Sequence, residues 1–385
     1  MSAGPLSGVR IVEIAGIGPG PYAAMLLADL GADILRVERK EGIAITRQIG
    51  IDATKDSSNR GRPSIAVDLK HSQGLSLVLD LVSGAAALIE GFRPGVMERL
   101  GLGPDICLAR NPRLVYGRMT GWGQTGPLAK SAGHDINYIA LSGMLSTFAR
   151  AGERPLPPGN AVGDMGGGGL MLAFGLVCGL YEAKSSGRGQ VVDAAMFEGA
   201  ASLGTSLFVM SAMGLHDANA PGTNMSDTGA HFYEVYETKD GRHVAVGAIE
   251  PQFYAELLRG LELDATSLPA QMDRSSWPEM KRRLAEIFRT RTREDWERVF
   301  SGKDACVSPV LAPVEAARHP HAVARGSFCE PGGVLQPAPV PRFSRTPGAI
   351  ASAPAIPGPI ADSALVAWGV DAPRVDALRA AGALL

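Results

Sequence analysis

The segment VRIVEIAGIGPGPYAAMLLADLGADILRVE, from Val9 to Glu38, constrains the fold more than any other. Val9 to Ile14 is a short apolar run, and Gly16-Ile17-Gly18-Pro19-Gly20-Pro21 follows it. Pro21 suits the first turn of a helix, Tyr22 to Leu30 continue it, and Gly31 ends it. Ile34 to Val37 reads as the next strand. Strand, tight loop, helix and strand in that order make a parallel β-α-β unit. The alternation goes on: strand Ser64 to Leu69, helix Gln73 to Leu81, strand Ala86 to Glu90, helix Val96 to Leu100, strand Leu114 to Arg118. The fold class is therefore α/β with an open parallel sheet.

The loop at Gly16 to Gly20 has two readings. It is close to a dinucleotide fingerprint, and Glu38 lies near where a ribose-binding carboxylate would. Its spacing, however, is G-x-G-x-G rather than G-x-G-x-x-G, and Pro19 and Pro21 remove N–H groups that a pyrophosphate needs. A tight strand-to-helix turn is the preferred reading.

At 385 residues the chain exceeds one typical core. A polar, glycine-containing stretch at 221–230 marks a linker, giving a large α/β domain over 1–222, a small α+β domain over 223–328, and a return segment over 329–385. The small domain opens on a hairpin, Tyr233 to Glu237 and His243 to Ala248, turning at Lys239-Asp240-Gly241. Helices follow at Gln252 to Leu261, Pro278 to Arg289 and Glu294 to Phe300, the last with Thr292 and Asp295 at capping-box spacing. The run MGGGGLMLAFGLVCGLY from Met165 carries no charge. It falls short of a membrane span and reads as a helix buried in a large core. A second apolar helix is expected from Phe197 to Leu215.

A net charge of −2 gives no basic field for nucleic acid. Cys107, Cys178, Cys306 and Cys329 are far apart, so neither a metal site nor a disulfide framework is expected, and a reducing cytoplasm is the simplest location. The opening residues have no signal-peptide pattern.

Chemistry gathers at two helix starts. In MTGWGQTGPLAKSAGHDINYIALSGM, Asp135 can cap the helix carrying Ile136, Ile139 and Ala140, and His134 precedes it, beside unpaired N–H groups. Asp164 ends PPGNAVGD and precedes the apolar helix, where it is either a functional carboxylate or an N-cap. Arg39, Lys70, Arg93 and Arg99 each fall at or just after the C-terminal end of a strand, the edge where open parallel sheets bind ligands. As a set they fit a polyphosphate.

Taken in order, PLSGVRIVEIAGIGPGPYAAMLLADLGADILRVER, MTGWGQTGPLAKSAGHDINYIALSG, NAVGD, GRGQVVDAAM, HVAVGAIEPQFY and the tail DALRAAGAL resemble the racemase branch of the family III CoA-transferase (CaiB/BaiF-type) superfamily along nearly the whole chain. The resemblance implies a large domain built from both chain ends, a smaller domain between them, and a homodimer of interlocked chains. It implies a lipid-metabolic isomerase that inverts the α-carbon of 2-methylacyl-CoA thioesters by two-base proton transfer through an enolate. CoA would enter as part of the substrate, with no other cofactor. His134 matches the family's catalytic His, Asp164 the catalytic Asp, and Glu250 the Glu that supports the His from the partner subunit. Arg39, Lys70 and Arg93 match CoA contacts. Val67, Asp68 and Asp135 join that binding set, and Arg99, Tyr138 and Asn160 line the equivalent cleft. The alternatives are a CoA-transferase with Asp164 as nucleophile, a nicotinamide-dependent oxidoreductase resting on the glycine loop, and a non-catalytic CoA-binding protein.

Overall fold

Six short strands carry the larger part of the molecule: β1 (Arg10–Ile14), β2 (Asp33–Glu38), β3 (Ser64–Ala66), β4 (Ala87–Glu90), β5 (Val115–Thr120) and β6 (Gln190–Ala195). The computed structural model describes residues 4–39, 52–354 and 361–384. The strands lie in the order β3-β2-β1-β4-β5-β6, and every neighbouring pair is parallel. Val12 is in register with Leu35 on one side and Leu88 on the other. All residues of β4 and β5 are buried, as expected of central parallel strands covered on both faces.

The two faces follow the period of two along each strand. Val12, Ile14, Leu35, Leu88 and Tyr116 pack on helix α2 (Ser72–Ser83) and on Leu365, Trp368, Val375 and Leu378 near the chain's end. Ile11, Ile34, Ala87, Ile89 and Val115 pack on helix α1 (Pro19–Asp29) and on Leu172 and Leu176. Between β4 and β5 run α3 (Val96–Arg99) and α4 (Pro104–Arg110). Helix α4 was not anticipated, although Pro104 after Gly103 is its start signal. Among the described residues the sheet takes no strand from the C-terminal end. That end adds the two helices Ala361–Ala367 and Ala372–Ala380 and a single antiparallel bridge, Leu384 to Val67.

From β5 the chain enters α5 (Asp135–Leu141), and later a set of wide turns over Ala161–Leu170 that leads into α6 (Met171–Ser186). The Met165 N–H reaches the Asn160 carbonyl at 3.1 Å, a five-residue step of π type. The run of glycines is a packing device. A Cβ on Gly167 would sit 2.5 Å from the Ala200 nitrogen in α7 (Met196–Leu203), and one on Gly169 would sit 2.6 Å from the Pro19 carbonyl oxygen in α1. Gly175 and Gly179 likewise bring α6 close to Val192 and Val115. The helix is buried on this face only. Phe174 is 65% and Tyr181 77% exposed on the outer one, so the fully buried helix expected from its composition is half exposed. By length and composition alone, Ala161–Ser186 could cross a membrane.

Two compact units divide the chain. The described parts of Met1–Ser142, Gly159–Leu203 and Pro320–Leu385 form one, and Gly143–Pro158 with Gly204–His319 form the other. These limits differ from the expected 222 and 328. The single helix expected over Phe197 to Leu215 breaks at Gly204 into α7 and α8 (Thr205–Ala212). Residues 143–158 join the second unit because Arg150 pairs with the buried Glu234 at 2.7 Å. That unit has an antiparallel sheet, β7 (Tyr233–Glu237), β8 (His243–Gly247) and β9 (Val307–Pro309), in that order. Helices α9 (Pro251–Gly260), α10 (Trp277–Phe288) and α11 (Arg293–Phe300) cover it through Phe232, Trp277, Phe288 and Trp296.

Candidate active site

The strand order reverses between β1 and β4, and the chain leaving each strand turns away from the other. In open α/β sheets this leaves a crevice beyond the carboxyl ends of the strands. Here it is a cleft of about 380 Å³, within the size range of small-ligand sites. The glycine loop after β1, Gly91 to Pro94 after β4 and Thr120 to Trp122 after β5 form its walls, with His134, Tyr138 and Asp164 closing it.

His134 holds the cap position of α5, so Asp135 is the first helical residue rather than the cap it was expected to be. The Asn137 side-chain oxygen accepts the His134 N–H at 3.1 Å and fixes the turn. The imidazole is exposed to the cleft. Tyr138, one turn on, donates its hydroxyl to the Gly133 carbonyl and packs edge-on against Trp122 at 4.8 Å. Gly121 and Gly133 make room for that ring; a Cβ on Gly121 would stand 2.1 Å from it.

Asp164 lies inside the wide turn, four residues past its start at Asn160, and makes no cap bond. The N-cap reading therefore falls away. Its main-chain N–H donates to Asp135 Oδ2 at 2.7 Å. Burial raises the Asp164 carboxyl above the usual carboxylate range, the Asp135 charge adds to the rise, and His134 opposes it. Burial also raises the Tyr138 phenol, helped by Asp164 and opposed by Arg93. One His and one Asp therefore line a single cleft, with the carboxyl raised above its ordinary value.

The expected ligand residues divide. Arg93 lines the cleft and is exposed. Arg39 stacks on the cleft residue Phe92 at 4.7 Å. Lys70 and Arg99 are exposed near their strand ends, and Asn160 is exposed at the start of the wide turn, but none of the three lines the cleft. Asp68 accepts the Lys70 N–H at 2.9 Å, forming the turn into α2. Val67 is fully buried among core residues and gives its N–H to the Glu38 carbonyl, so its side chain offers nothing to a ligand. Asp135 is buried too, and its carboxylate is spent on Asp164. Glu250 belongs to the second unit, exposed at the start of α9.

Glu38 is only 5% exposed and pairs with Arg36 at 2.5 Å, so it is not a ribose acceptor. Arg36 also binds Glu13 at 2.7 Å, and Glu13 binds Arg62 at 2.8 Å. This buried network lies at the ends of β1 and β2, and Arg36 reaches the Gly16 carbonyl of the glycine loop at 3.4 Å. Glu90 does similar work for the next loop, accepting the Phe92 N–H at 2.7 Å while paired with Arg118 at 2.9 Å. The sequence offered one signal for these residues, charges inside strands that are otherwise apolar. Among the described residues no group of His, Cys, Asp and Glu is arranged to hold a metal.

Residues 6–359 match the CoA-transferase family III. The chain is 48% identical over 344 residues to an alpha-methylacyl-CoA racemase of Mus musculus, covering 89% of this chain and 87% of that protein. It is 44% identical over 343 residues to one of Homo sapiens, with the same coverage. A crystal structure of a CAIB/BAIF family protein from Brucella suis superposes with a TM-score of 0.79 at 26% identity, covering 92% of this chain and 96% of that one.

Proposed function

Because the chain belongs to the CoA-transferase family III, we propose that its cleft binds the CoA thioester of a 2-methyl-branched acid and inverts the α-carbon. The protein is an isomerase. The observation that carries this is the pair His134 and Asp164 on one cleft, with Asp164 excluded from capping and its carboxyl raised above its ordinary value by burial. Its likeness to two alpha-methylacyl-CoA racemases supports the same reading.

A thioester α-proton is weakly acidic, so the electron pair left on its removal must be held as an enolate. Neutral His134 takes the proton from one enantiomer, the pair moves onto the thioester oxygen, and protonated Asp164 returns a proton to the opposite face. The other enantiomer runs the same path backward, from ionised Asp164 and charged His134. The two groups share one proton and titrate as a pair. Unpaired N–H groups at the start of α5 stabilise the enolate oxygen. No external cofactor is needed, since CoA arrives with the substrate. Arg39, Lys70 and Arg93 hold its phosphates, with Asp68, Arg99 and Asn160 around the entrance and Tyr138 against the reacting end. The working form is an interlocked homodimer in which the partner's copy of Glu250 supports His134. The exposed apolar face of α6, with Phe174 and Tyr181, fits coverage by a second copy.

A transferase would use Asp164 as a nucleophile, forming an acyl-aspartyl anhydride. It would need no base at position 134. The test is to incubate one enantiomer of a 2-methylacyl-CoA with the enzyme in deuterated water. Deuterium at the α-carbon with loss of optical purity is expected. CoA passed to an added acid without exchange, with Asp164 trapped as a hydroxamate, would overturn the proposal.

A further inference from the structure

Asp135 was expected among the ligand contacts, yet the residue is only 8% exposed and its carboxylate is directed at the main chain of Asp164. One oxygen, Oδ2, accepts the Asp164 N–H at 2.7 Å. The other, Oδ1, is buried with no hydrogen-bond partner among the described residues. Gly163 makes the approach possible. A Cβ there would stand 2.5 Å from Oδ2 and force the carboxylate off the amide. A buried carboxylate with one oxygen unsatisfied is costly, and a purely structural anchor would be cheaper as an asparagine or serine. What an ionised group supplies and those do not is charge.

We propose that Asp135 is a positioning residue for Asp164, gripping its main chain through Oδ2 and setting an unneutralised negative charge beside its carboxyl. This rests on the racemase reading for its purpose. Histidine and aspartate have unlike intrinsic proton affinities, and passing one proton between them is easiest when the two are brought together. The charge of Asp135 moves Asp164 in that direction.

The surroundings leave this role to Asp135. From α5 the groups near Asp164 are His134, Asp135 and Tyr138, and Arg93 comes from the loop after β4. Helix α1 carries Tyr22 and Asp29, and Asp29 is paired with Arg60 at 2.5 Å. Helix α7 carries only Glu198, which is exposed. On the strands beneath, β5 carries Tyr116 and Arg118, Arg118 being tied to Glu90 and Glu98, and β6 carries Asp193. Helix α6 carries Cys178, Tyr181, Glu182 and Lys184, all beyond its first turn. The like charge acting on Asp164 is that of Asp135.

The test uses Asp135→Asn, which keeps an oxygen for the Asp164 amide and removes the charge. The acid limb of kcat/KM should move down by about one pH unit, as for a carboxyl losing a like-charged neighbour. It should move equally for both enantiomers, because their interconversion has an equilibrium constant near one. The Asp164 carboxyl, followed by carbon-13 resonance and assigned by its loss in Asp164→Asn, should titrate lower by the same amount. Gly163→Ala, which displaces the carboxylate instead of neutralising it, should shift both readouts the same way. An acid limb and a carboxyl titration that stay at the wild-type position in a folded Asp135→Asn or Gly163→Ala would overturn the proposal. The carboxyl titration judges it even if wild-type enzyme shows no α-exchange, the result that would instead sink the racemase reading.

Discussion

Replacing Gly18 by alanine tests whether the glycine loop is a mere turn or a wall built against Asp164. Gly18 has φ of 68°, a left-handed conformation that costs an L-residue about 1–2 kcal/mol. Its added Cβ would also stand 3.3 Å from Asp164 Oδ2, so the carboxyl must give by a few tenths of an ångström. The strain alone should lower the unfolding midpoint by about 2–6 °C. Since a reacting group misplaced by about 1 Å costs about a hundredfold, this smaller displacement should lower kcat about three- to tenfold. Gly20, two residues on, is the control. It sits in the first turn of α1, and a Cβ there meets nothing within 4 Å. Gly20→Ala adds a Cβ that does not touch Asp164, so it should spare kcat more than Gly18→Ala does and raise the midpoint slightly, since alanine favours the helix by up to about 1 kcal/mol. Thermal melts and α-deuterium exchange on both variants supply the readings. If Gly18→Ala melts and turns over like wild type, or if both alanines do equal damage, the loop does not act on Asp164 and the argument fails.

Three further outcomes are expected. Asp164→Ala should lose inversion of both enantiomers yet still exchange the α-hydrogen of the one presented to His134, and His134→Ala should exchange only the other; mass spectrometry in deuterated water separates them, and loss of all exchange in both variants would refute two independent bases. Alanine at Arg93, Arg39 or Lys70 should raise KM about ten- to a hundredfold with kcat nearly kept, since a charge-assisted contact is worth about 1.5–3 kcal/mol and the CoA handle is held alike in ground and transition states; unchanged CoA affinity in all three would misplace the phosphates. Co-refolding a His134→Ala chain with a Glu250→Ala chain should restore part of the activity if the site is shared between subunits, and mixed dimers with none would count against sharing.

The parallel alternation of strand and helix was legible because strands covered on both faces are nearly continuous apolar runs, which Val9 to Ile14 and Ala86 to Glu90 display. The capping box was legible for a local reason: Thr292 and Asp295 bond each other's amides within three residues, at 3.1 and 3.2 Å. Asp164 lies inside the wide turn rather than at its start, whereas His134 was legible as a polar residue at a helix start. Strand order was not, because it depends on contacts between residues far apart in sequence, such as Val12 with Leu88. The same limit hid the burial of Glu38 and Val67. Each sits next to the ligand-binding edge in sequence, but Arg36 neutralises one inside the protein and the bridge to Leu384 seals the other. Asp135 looked like a helix cap because the pattern of acid before apolar residues is the same whether the carboxylate serves its own helix or a neighbouring turn. Only Gly163, which leaves the space for the second arrangement, separates the two.

The apolar stretch around α6 shows how a composition argument can be right about the element and wrong about its faces. Hydropathy marks Phe174, Val177 and Tyr181 as core and treats the glycines as neutral. In the structure the glycines mark the inner face, where backbone touches α1, α7, β5 and β6, and those three large residues point outward. The inversion follows from distance: where a glycine draws the helix this close no large side chain fits, and only Leu172 and Leu176 between the glycines are fully buried on the inner face. Its large apolar residues Phe174 and Tyr181 are left exposed on the outer face. The Asp164 turn runs without a break into this helix. A second copy packed on Phe174 and Tyr181, as proposed for the dimer, would therefore brace the element that carries one of the two proposed bases.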